Sequence, residues 1–243
     1  MSQPLDKVQA FWLGPMSTME RLVIGSYVAH GHEFHLYSYE EVDDLPPGAV
    51  LKDAEEILPF RSRYRDSRGT FAGFSDAFRY KLLLERGGWW VDMDAVCIAP
   101  FDFEEDYVFG LEPDMTMAAG VIRVPPNSEV MQYAWDRSQA ARSRWRRLTR
   151  RRLAWGEIGP LLLAEAVEAC GLSEYAVQPG VFYPFDWPEW DILLKPGVPF
   201  PEEAKSIHLW NGLWTVKGGD KDATYPEDCI YEQLKRRYLP PSG

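Results

Sequence analysis

A strand, a helix and a second strand at the start of the chain constrain the fold most strongly. Residues 8–13 are an apolar run typical of a buried strand. Residues 33–37 alternate polar and apolar side chains, as a second strand does. Between them, apolar residues recur at helical spacing: Met19, Leu22, Val23 and Tyr27. Two strands joined by one helix within about 30 residues run parallel, so the sequence predicts an α/β fold that begins with a parallel sheet.

Size and composition set the class of protein. With 243 residues and 46% hydrophobic residues, the chain can bury the core of one large domain without disulfides. Cys97, Cys170 and Cys229 lie far apart, which is typical of reduced thiols in a cytoplasmic protein. No signal peptide and no apolar run long enough to span a bilayer are evident. We therefore expect a cytoplasmic location.

An acidic motif follows the next buried strand. A helical pattern over residues 70–86 stops at Gly87-Gly88, and the apolar residues 89–91 lead directly into Asp92-Met93-Asp94. Parallel sheets bind ligands at the edge where their strands end, and Asp92-Met93-Asp94 follows such an end. Alternate residues of an extended chain face the same way, so the two carboxylates can converge. Two converging carboxylates suit a hard divalent cation such as Mg²⁺ or Mn²⁺. The alternative for this motif alone is a solvated acidic turn.

The helix before this strand adds a second set of polar residues. Asp76 is three residues from Arg79 and four from Tyr80, so the three side chains share one helix face, next to Ser75. The Gly-Gly turn brings this face close to Asp92. A surface ion pair would explain Asp76 and Arg79, but it would not explain their link to the acidic motif.

These segments resemble a known family. Residues 74–80, Phe-Ser-Asp-Ala-Phe-Arg-Tyr, and 87–94, Gly-Gly-Trp-Trp-Val-Asp-Met-Asp, resemble the sugar-binding region of DXD-containing GT-A glycosyltransferases. The nearest types are the bacterial capsule and lipopolysaccharide enzymes, the α-1,4-glycosyltransferases and the glucosylating toxin domains. Residues 11–14 are similar to the first strand that meets the nucleotide base, and 208–214 are similar to the closing His/Trp motif.

Two departures from the family pattern stand out. Ala118-Ala119-Gly120 lies where many relatives carry Asn before their next strand, which puts a ligand contact there in doubt. Residues 156–160 resemble the family's helix-opening Thr-Gly-Pro, but Glu157-Ile158 replaces the usual Thr. That site is therefore expected to be specialised.

The resemblance implies a fold and an activity. The fold is a GT-A-like, Rossmann-type nucleotide-sugar fold with a mixed central sheet and flanking helices, in one domain over residues 1–243. Residues 1–125 would bind the nucleotide sugar, and residues 126–243 would supply acceptor-side helices and a closing segment. The activity is metal-dependent transfer of a sugar, from a UDP-sugar rather than a GDP-sugar, to a glycan or glycolipid acceptor. Retention of configuration and a place in surface polysaccharide or lipopolysaccharide synthesis are also implied.

The resemblance assigns roles to particular residues. Asp94 would bind Mn²⁺ or Mg²⁺ directly, Asp92 would contact the metal, ribose or sugar hydroxyls, and His208 would complete the metal shell. The remaining assignments are Asp76 and Arg79, with Ser75 and Tyr80, at the donor sugar; Trp12 and Leu13, with one of Tyr37 and Tyr39, at the base; Trp214 over the diphosphate; and Glu157 facing the acceptor or the anomeric carbon. For each aromatic the alternative is the hydrophobic core, and for His208 it is a structural role. His30, His32 and His35 are interpreted as surface residues.

Charge is distributed unevenly along the chain. The formal net charge of −11 argues against nucleic acid as a partner, because phosphate contacts dominate such binding. Seven arginines nevertheless fall within residues 142–152, interleaved with Trp145 and Leu148. Such a segment suits an anionic membrane surface or an anionic or lipid-diphosphate acceptor; the alternative is a solvated helix face. The membrane hypothesis would place the protein peripherally on the inner face of the membrane.

Two other functions compete with sugar transfer. Asp92 and Asp94 also fit the first motif of haloacid-dehalogenase-type phosphatases, with the first Asp as nucleophile, and residues 219–222 resemble their later acidic motif. That motif usually follows the first strand of its fold, whereas here a strand–helix–strand unit precedes it. The other alternative is a non-catalytic module that binds nucleotide sugars.

Overall fold

The computed structural model describes residues 6–148, 153–154 and 156–240. The strands in this part of the chain are β1 (Val8–Phe11), β2 (Phe34–Ser38), β3 (Ala49–Asp53), β4 (Gly88–Val91), β5 (Ala95–Cys97), β6 (Val108–Leu111), β7 (Met117–Val124), β8 (Ala176–Val177) and β9 (Ser206–His208). The α-helices are α1 (Thr18–Ala29), α2 (Ala72–Arg86), α3 (Glu129–Leu148), α4 (Pro160–Ala169), α5 (Pro179–Phe182), α6 (Asn211–Lys217) and α7 (Ile230–Tyr238).

A mixed sheet forms the centre of the molecule. Its described strands lie in the order β3-β2-β1-β4-β7-β6-β8. β1 pairs in parallel with β2 and with β4, whereas β7 runs antiparallel between β4 and β6. A separate antiparallel pair joins β5 to β9. The predicted α/β fold with a mixed central sheet and flanking helices is confirmed.

The first strand–helix–strand unit forms as the sequence predicts. Ser17 caps α1 by accepting from the N–H of Met19, and the Glu20 carboxylate accepts from the backbone N–H of Ser17. This reciprocal pair satisfies N–H groups that a helix start leaves free. The helix returns the chain so that Val8 lies opposite Phe34 in a parallel register.

The turn between α2 and β4 requires glycine. Gly87 ends α2 with a φ of 59° and donates its N–H to the Leu83 carbonyl. A Cβ atom on Gly87 would lie 2.4 Å from the backbone nitrogen of Pro126, so a side chain here would collide with the chain after β7. The close approach fixes the direction in which β4 enters the centre of the sheet.

Hydrophobic layers cover both faces of this sheet. Trp89 and Val91 of β4 pack with α1 and α7 residues on one face, whereas Trp90 packs with α2 and α4 residues on the other. Alternate residues of a strand point to opposite faces, so a single short strand supplies both cores. β4 is therefore held firmly from two sides where the acidic motif begins.

Several short elements were not predicted. β5 and β8 have three and two residues, too few for a periodic pattern, and β3 is a partly exposed edge strand. α7 begins at Ile230, after the Cys229 cap.

The surface interpretation of the histidines is wrong for two of them. His32 is 3% exposed; its Nε2 accepts from the N–H of Phe101, and its Nδ1 contacts the carbonyl of Asp6. Burial lowers the pKa of the His32 imidazole. His35 is buried in β2, because all five residues of this inner strand are covered.

Most side chains of the Arg-rich segment, residues 142–152, lie outside the described part of the chain. Arg142 donates to the Ser62 carbonyl at 3.1 Å, and its guanidinium lies 4.6 Å from the Tyr64 ring centre. The other arginines of the segment, with Trp145 and Leu148, have no described side chains: Arg144, Arg146, Arg147, Arg150, Arg151 and Arg152. Across the part of the chain that the structure describes, no helix combines the length and apolar character needed to cross a membrane.

Candidate active site

The acidic motif lies where the two sheets meet. Asp92 follows β4 directly, and its N–H donates to the Gly120 carbonyl at 2.8 Å. The chain then turns into β5, whose Ala95 pairs with His208 at the end of β9. This pairing brings His208, more than 100 residues away in the sequence, next to Asp94.

Asp92, Asp94 and His208 form one cluster. Each offers a ligand atom, and these atoms all lie within 4.8 Å of one another. His208 Nε2 is 3.2 Å from Asp94 Oδ1, while the other carboxylate oxygen of Asp94 accepts from the N–H of Asn211 at 2.8 Å. The three residues for which the sequence predicts a metal site are therefore brought together.

Mutual attraction holds the Asp94–His208 pair. Burial would raise the pKa of the Asp94 carboxyl, but the charge and hydrogen bond of His208, helped by the Asn211 N–H, hold that pKa below its usual value. Burial would likewise lower the pKa of His208, but the Asp94 carboxylate raises it above the usual value. Each charged form stabilises the other.

The surroundings of the cluster fit a divalent cation. Two carboxylates and an imidazole are ligands that Mn²⁺ accepts. Asn211 Oδ1, Tyr183 Oη and Trp210 Nε1 are buried next to these residues and have no hydrogen-bond partner among the described residues, which is costly unless a ligand or water satisfies them. Three polar side chains approach Gly120 closely, because a Cβ there would lie 2.9 Å from the Tyr183 hydroxyl and 3.2 Å from both Asp92 Oδ2 and His208 Nε2.

A buried network fixes one oxygen of Asp92. Arg79 donates from one terminal nitrogen to Asp76 at 3.0 Å and from the other to Asp92 Oδ1 at 2.6 Å. Trp90 Nε1 donates to the same oxygen at 2.8 Å, and the guanidinium lies 4.9 Å from the Trp90 ring centre. Asp92 Oδ1 is therefore occupied, whereas Oδ2 lies on the side of Gly120 and His208.

Asp76 and Arg79 in this network have shifted pKa values. Burial, with some help from Asp92, raises the pKa of Asp76 to about 6, although Arg79 opposes the shift. Burial would lower the pKa of Arg79, but the two carboxylates raise it, so the guanidinium stays charged. Arg79 is 4% exposed, and its Nε has no hydrogen-bond partner in the part of the chain that the structure describes. A contact between Arg79 and a donor sugar stays a prediction.

The loop before α4 lies against Asp76. Tyr80 donates its hydroxyl proton to the Gly159 carbonyl at 2.9 Å, and a Cβ on Gly159 would lie 3.0 Å from Asp76 Oδ2. Glu157 accepts from the N–H of Ala154 at 2.9 Å and is half-buried. Ser75 is half-buried in the first turn of α2. Roles for Glu157 and Ser75 in binding stay predictions.

Comparison with known families identifies the region built around this motif. Residues 32–109 match the family model for the glycosyltransferase sugar-binding region containing a DXD motif. This part of the chain therefore resembles a glycosyltransferase sugar-binding region. Its DXD motif is Asp92-Met93-Asp94, and the matched residues include the whole of α2 with Asp76 and Arg79.

Solved glycosyltransferases are similar in structure. The PaToxG glycosyltransferase is 15% identical with a TM-score of 0.50, over 70% of this chain and 72% of that one, which shows a shared fold. GlyE of Streptococcus pneumoniae TIGR4 is 12% identical with a TM-score of 0.49, over 97% of this chain. The chain spans 61% of the length of GlyE. The comparison with curated proteins finds no match.

The family match and two sets of contacts count against the phosphatase hypothesis. The phosphatase hypothesis also required residues 219–222 as an acidic motif for the active site. Asp222 instead accepts from the N–H and hydroxyl of Thr18, at 2.7 and 2.6 Å, at the start of α1. Asp92, its expected nucleophile, has one oxygen held by Arg79 and Trp90.

The residues expected at the nucleotide base of this glycosyltransferase region lie in different surroundings. Trp12 is half-buried; Nζ of Lys221 lies 5.7 Å from its ring centre. Leu13, next to it, is also half-buried. Tyr37 is 4% exposed and packs against Phe78, whereas the Tyr39 hydroxyl donates to the Leu58 carbonyl at 2.7 Å. Both tyrosines pack with the hydrophobic core, so Trp12 is the better placed aromatic for a base.

Trp214 lies in the core and not beside the metal cluster. It is fully buried against Trp190 and Tyr231, and its Nε1 donates to the Leu209 carbonyl at 2.7 Å. This burial contradicts the expectation that the Trp214 side chain covers a diphosphate. Trp210 takes the position beside the cluster, with its ring centre 4.2 Å from that of His208. A left-handed backbone at Trp210 (φ 58°) turns the chain just before α6 begins.

Sequence reasoning missed three residues of this site. Asn211 lies inside the His/Trp motif, so the motif itself was the available signal. Gly120 was noted only as a departure from the family pattern. Tyr183 follows α5 in a stretch with no periodic pattern, and its contact with Gly120 joins segments more than 60 residues apart. No local signal could have found it.

Proposed function

We propose that this chain transfers a sugar, in a metal-dependent reaction, from a nucleotide-diphosphate sugar to a glycan or glycolipid acceptor. The observation that carries the proposal is the Asp92, Asp94 and His208 cluster: its two aspartates belong to the sugar-binding region, and its ligand atoms all lie within 4.8 Å of one another. A divalent cation bound there would offset the negative charge that develops on the leaving diphosphate. Mn²⁺ fits the mixed oxygen and nitrogen ligands better than Mg²⁺.

The chain's own residues would orient the donor. Arg79 and Trp90 fix Asp92 Oδ1 in place, so Oδ2 needs little reorganisation to meet a ligand. Trp12 offers a partly exposed indole for the base, and Lys221 lies beside that ring with a charge that also lowers the pKa of Asp94. Asp76 and the loop before α4 would contact the donor sugar. Residues 1–125 would supply most donor contacts, and residues 126–243 the acceptor side.

The finer features of the proposal rest on the family resemblance. These are a UDP-sugar rather than a GDP-sugar, retention of configuration, and a place in surface polysaccharide or lipopolysaccharide synthesis. The Arg-rich segment would bring the enzyme to an anionic membrane surface on the cytoplasmic side. Vesicle binding at low salt tests this last point, and a protein that ignores anionic vesicles contradicts it.

A screen of donors tests the central proposal. The purified protein is incubated with UDP- and GDP-sugars with and without Mn²⁺, and nucleotide release is measured. We expect Mn²⁺-dependent release from a UDP-sugar, and its loss in Asp94→Asn. Full activity of the folded Asp94→Asn variant would falsify the metal assignment, and no release from any donor would count against sugar transfer.

A second experiment addresses the nucleotide. UDP and GDP are titrated against wild type and Trp12→Ala in the presence of Mn²⁺. We expect tighter binding of UDP and a weaker affinity in the variant. An unchanged affinity removes Trp12 from the base site.

A further inference from the structure

A buried ion pair joins α1 to the loop between α6 and α7. Lys221 Nζ donates to Glu20 Oε1 at 2.7 Å, and only 18% of the Lys221 side chain and 1% of the Glu20 side chain are exposed. The Lys221 carbonyl accepts from the Tyr231 hydroxyl at 2.7 Å, and the next residue, Asp222, accepts from the N–H of Thr18 at 2.7 Å. These bonds fix the loop against the start of α1. We call the Glu20–Lys221 ion pair the clasp.

Helix capping alone does not explain the clasp. Glu20 Oε2 accepts from the backbone N–H and the hydroxyl of Ser17, at 2.6 and 2.5 Å, and so caps α1. A glutamine in this position would form the same cap, because its side-chain carbonyl also accepts hydrogen bonds. The negative charge of Glu20 is therefore matched by Lys221 rather than by the cap, and it holds the ammonium group of Lys221 in one place.

The ammonium group of Lys221 lies over the aromatic ring proposed for the nucleotide base. Its Nζ is 5.7 Å from the centre of the Trp12 ring. The edge of the same ring is tied to its own loop, because Trp12 Nε1 donates to the Pro15 carbonyl at 3.2 Å. A cation is attracted to the electron-rich face of an indole. With Lys221 over one face of Trp12, the opposite face is left for a planar ligand.

The segment that carries Lys221 also contacts the metal cluster. At the start of α6, the Asn211 N–H donates to Asp94 Oδ2 at 2.8 Å. Ten residues later, Lys221 lies at Trp12. One short segment thus contacts both the cluster proposed for the diphosphate and the ring proposed for the base, which are the two ends of one nucleotide.

We propose that Lys221 is a positioning residue for the nucleotide base. Held by Glu20, its ammonium group lies on one face of Trp12 and fixes the orientation of the indole, so that the other face stacks on the base. The base contacts Trp12 and not Lys221. A ring that is ordered before binding lowers the entropy cost of binding. The inference rests on the proposed function, because it takes Trp12 as the base site, and it adds the residues that hold this ring.

The test compares a ligand that carries a base with one that does not. UDP and inorganic pyrophosphate are each titrated by calorimetry in the presence of Mn²⁺. The clasp variant is Glu20→Gln/Lys221→Met, which keeps the cap of α1, leaves the net charge unchanged and leaves no buried charge without a partner. Lys221→Arg is the conservative variant. Trp12→Ala, alone and combined with the clasp variant, removes the ring through which Lys221 is proposed to act.

A second Lys–Glu pair beside a tryptophan supplies the matched control. Lys81 Nζ lies 2.7 Å from Glu85 Oε1 and 5.3 Å from the Trp135 ring centre. Lys81→Met/Glu85→Gln thus removes the same kinds of contact from α2 and α3, outside the proposed nucleotide site. Circular dichroism verifies that each variant is folded.

We expect the clasp variant to bind UDP at least about threefold more weakly than wild type, and pyrophosphate within about twofold of wild type. In the Trp12→Ala background the clasp substitutions should cause no further loss of UDP affinity, because Lys221 acts through that ring. Lys221→Arg keeps a cation for both the ring and Glu20, so it should retain most of the UDP affinity. The control pair should behave as wild type with both ligands.

The outcomes separate this inference from the proposed function. A loss of UDP affinity that requires Trp12, without nucleotide release from any sugar donor, supports the positioning role and counts against sugar transfer. Equal UDP affinities in wild type and the clasp variant overturn the positioning role and leave sugar transfer standing. Equal losses for UDP and pyrophosphate also overturn it, because Lys221 would then act at the diphosphate. So does a loss that persists in full in the Trp12→Ala background.

Discussion

The two sides of the metal cluster differ in how their polar groups are satisfied. On one side, which we call the paired side, Asp76, Arg79, Trp90 and Asp92 Oδ1 bind one another. On the other, which we call the unpartnered side, Tyr183, Trp210 and Asn211 keep buried polar atoms without partners. Among the described residues the paired side leaves only Arg79 Nε without a partner, and it holds the motif in position. The unpartnered side is complete only with a ligand, so it is where the chemistry is expected.

Breaking the paired side should have the largest effect on stability. Removing one partner of a buried ion pair leaves the other charge uncompensated, which costs about 3–5 kcal/mol. Arg79→Met should therefore lower the free energy of unfolding by that amount in denaturant titrations. Arg137→Met is the matched control, because Arg137 is 57% exposed and pairs with Glu165 on the surface, where about 0–1 kcal/mol is expected. Equal losses in the two variants would contradict a structural role for the paired side.

The buried Asp76 should make stability depend on pH. Its pKa in the folded protein is about 6, above the ordinary 3.8, so the folded state binds the proton more tightly. This contribution to stability is complete below the ordinary pKa and is lost as pH rises through about 6. Between about pH 4 and 8, wild type should therefore lose about 2–3 kcal/mol relative to Asp76→Asn. Unfolding free energies measured across this pH range test the prediction. A difference between the two proteins that does not change with pH would contradict the raised pKa of Asp76.

A side chain at Gly120 should displace the residues around it and weaken ligand binding. An alanine Cβ at Gly120 would lie 2.9 Å from the Tyr183 hydroxyl and 3.2 Å from the nearest Asp92 and His208 atoms, so ligand atoms must move. Gly120→Ala should lower the affinity for Mn²⁺ with UDP at least about tenfold, as measured by calorimetry. Gly180→Ala is the control, because a Cβ at Gly180 meets nothing within 4 Å. If Gly120→Ala binds Mn²⁺ with UDP within twofold of the wild-type affinity, a ligand beside Gly120 is contradicted.

Two tyrosines give the smallest and most direct contrast between the sides. The Tyr80 hydroxyl donates to the Gly159 carbonyl, so Tyr80→Phe should cost about 1 kcal/mol of stability. The Tyr183 hydroxyl has no partner, so Tyr183→Phe should leave stability unchanged or raise it while lowering affinity for Mn²⁺ with UDP. Thermal and denaturant unfolding measure both. Tyr183→Phe losing as much stability as Tyr80→Phe would mean that this hydroxyl is satisfied within the protein.

The paired side was accessible from the sequence, whereas most of the unpartnered side was not. Asp76 and Arg79 lie one helical turn apart, and Asp92 and Asp94 alternate after a strand, so local spacing alone placed them together. His208 reaches the cluster through the pairing of β5 with β9, which no local pattern specifies; only its resemblance to a family motif pointed to it. That motif contains both tryptophans but does not indicate which one contacts the cluster. In the structure Trp210 lies beside His208, whereas Trp214 is buried in the core. Tyr183 has no signal in the sequence, because packing between distant segments places it.

Mn²⁺ binding tests the central claim most directly. Electron paramagnetic resonance can measure free and bound Mn²⁺ in wild type, Asp94→Asn and His208→Ala, with and without UDP, with circular dichroism to verify folding. The exposed Asp106→Asn serves as control. We predict one Mn²⁺ site that UDP strengthens, that is weakened at least about thirtyfold in both cluster variants, and that is kept in the control. Folded cluster variants that bind Mn²⁺ as tightly as wild type would contradict the assignment of this site.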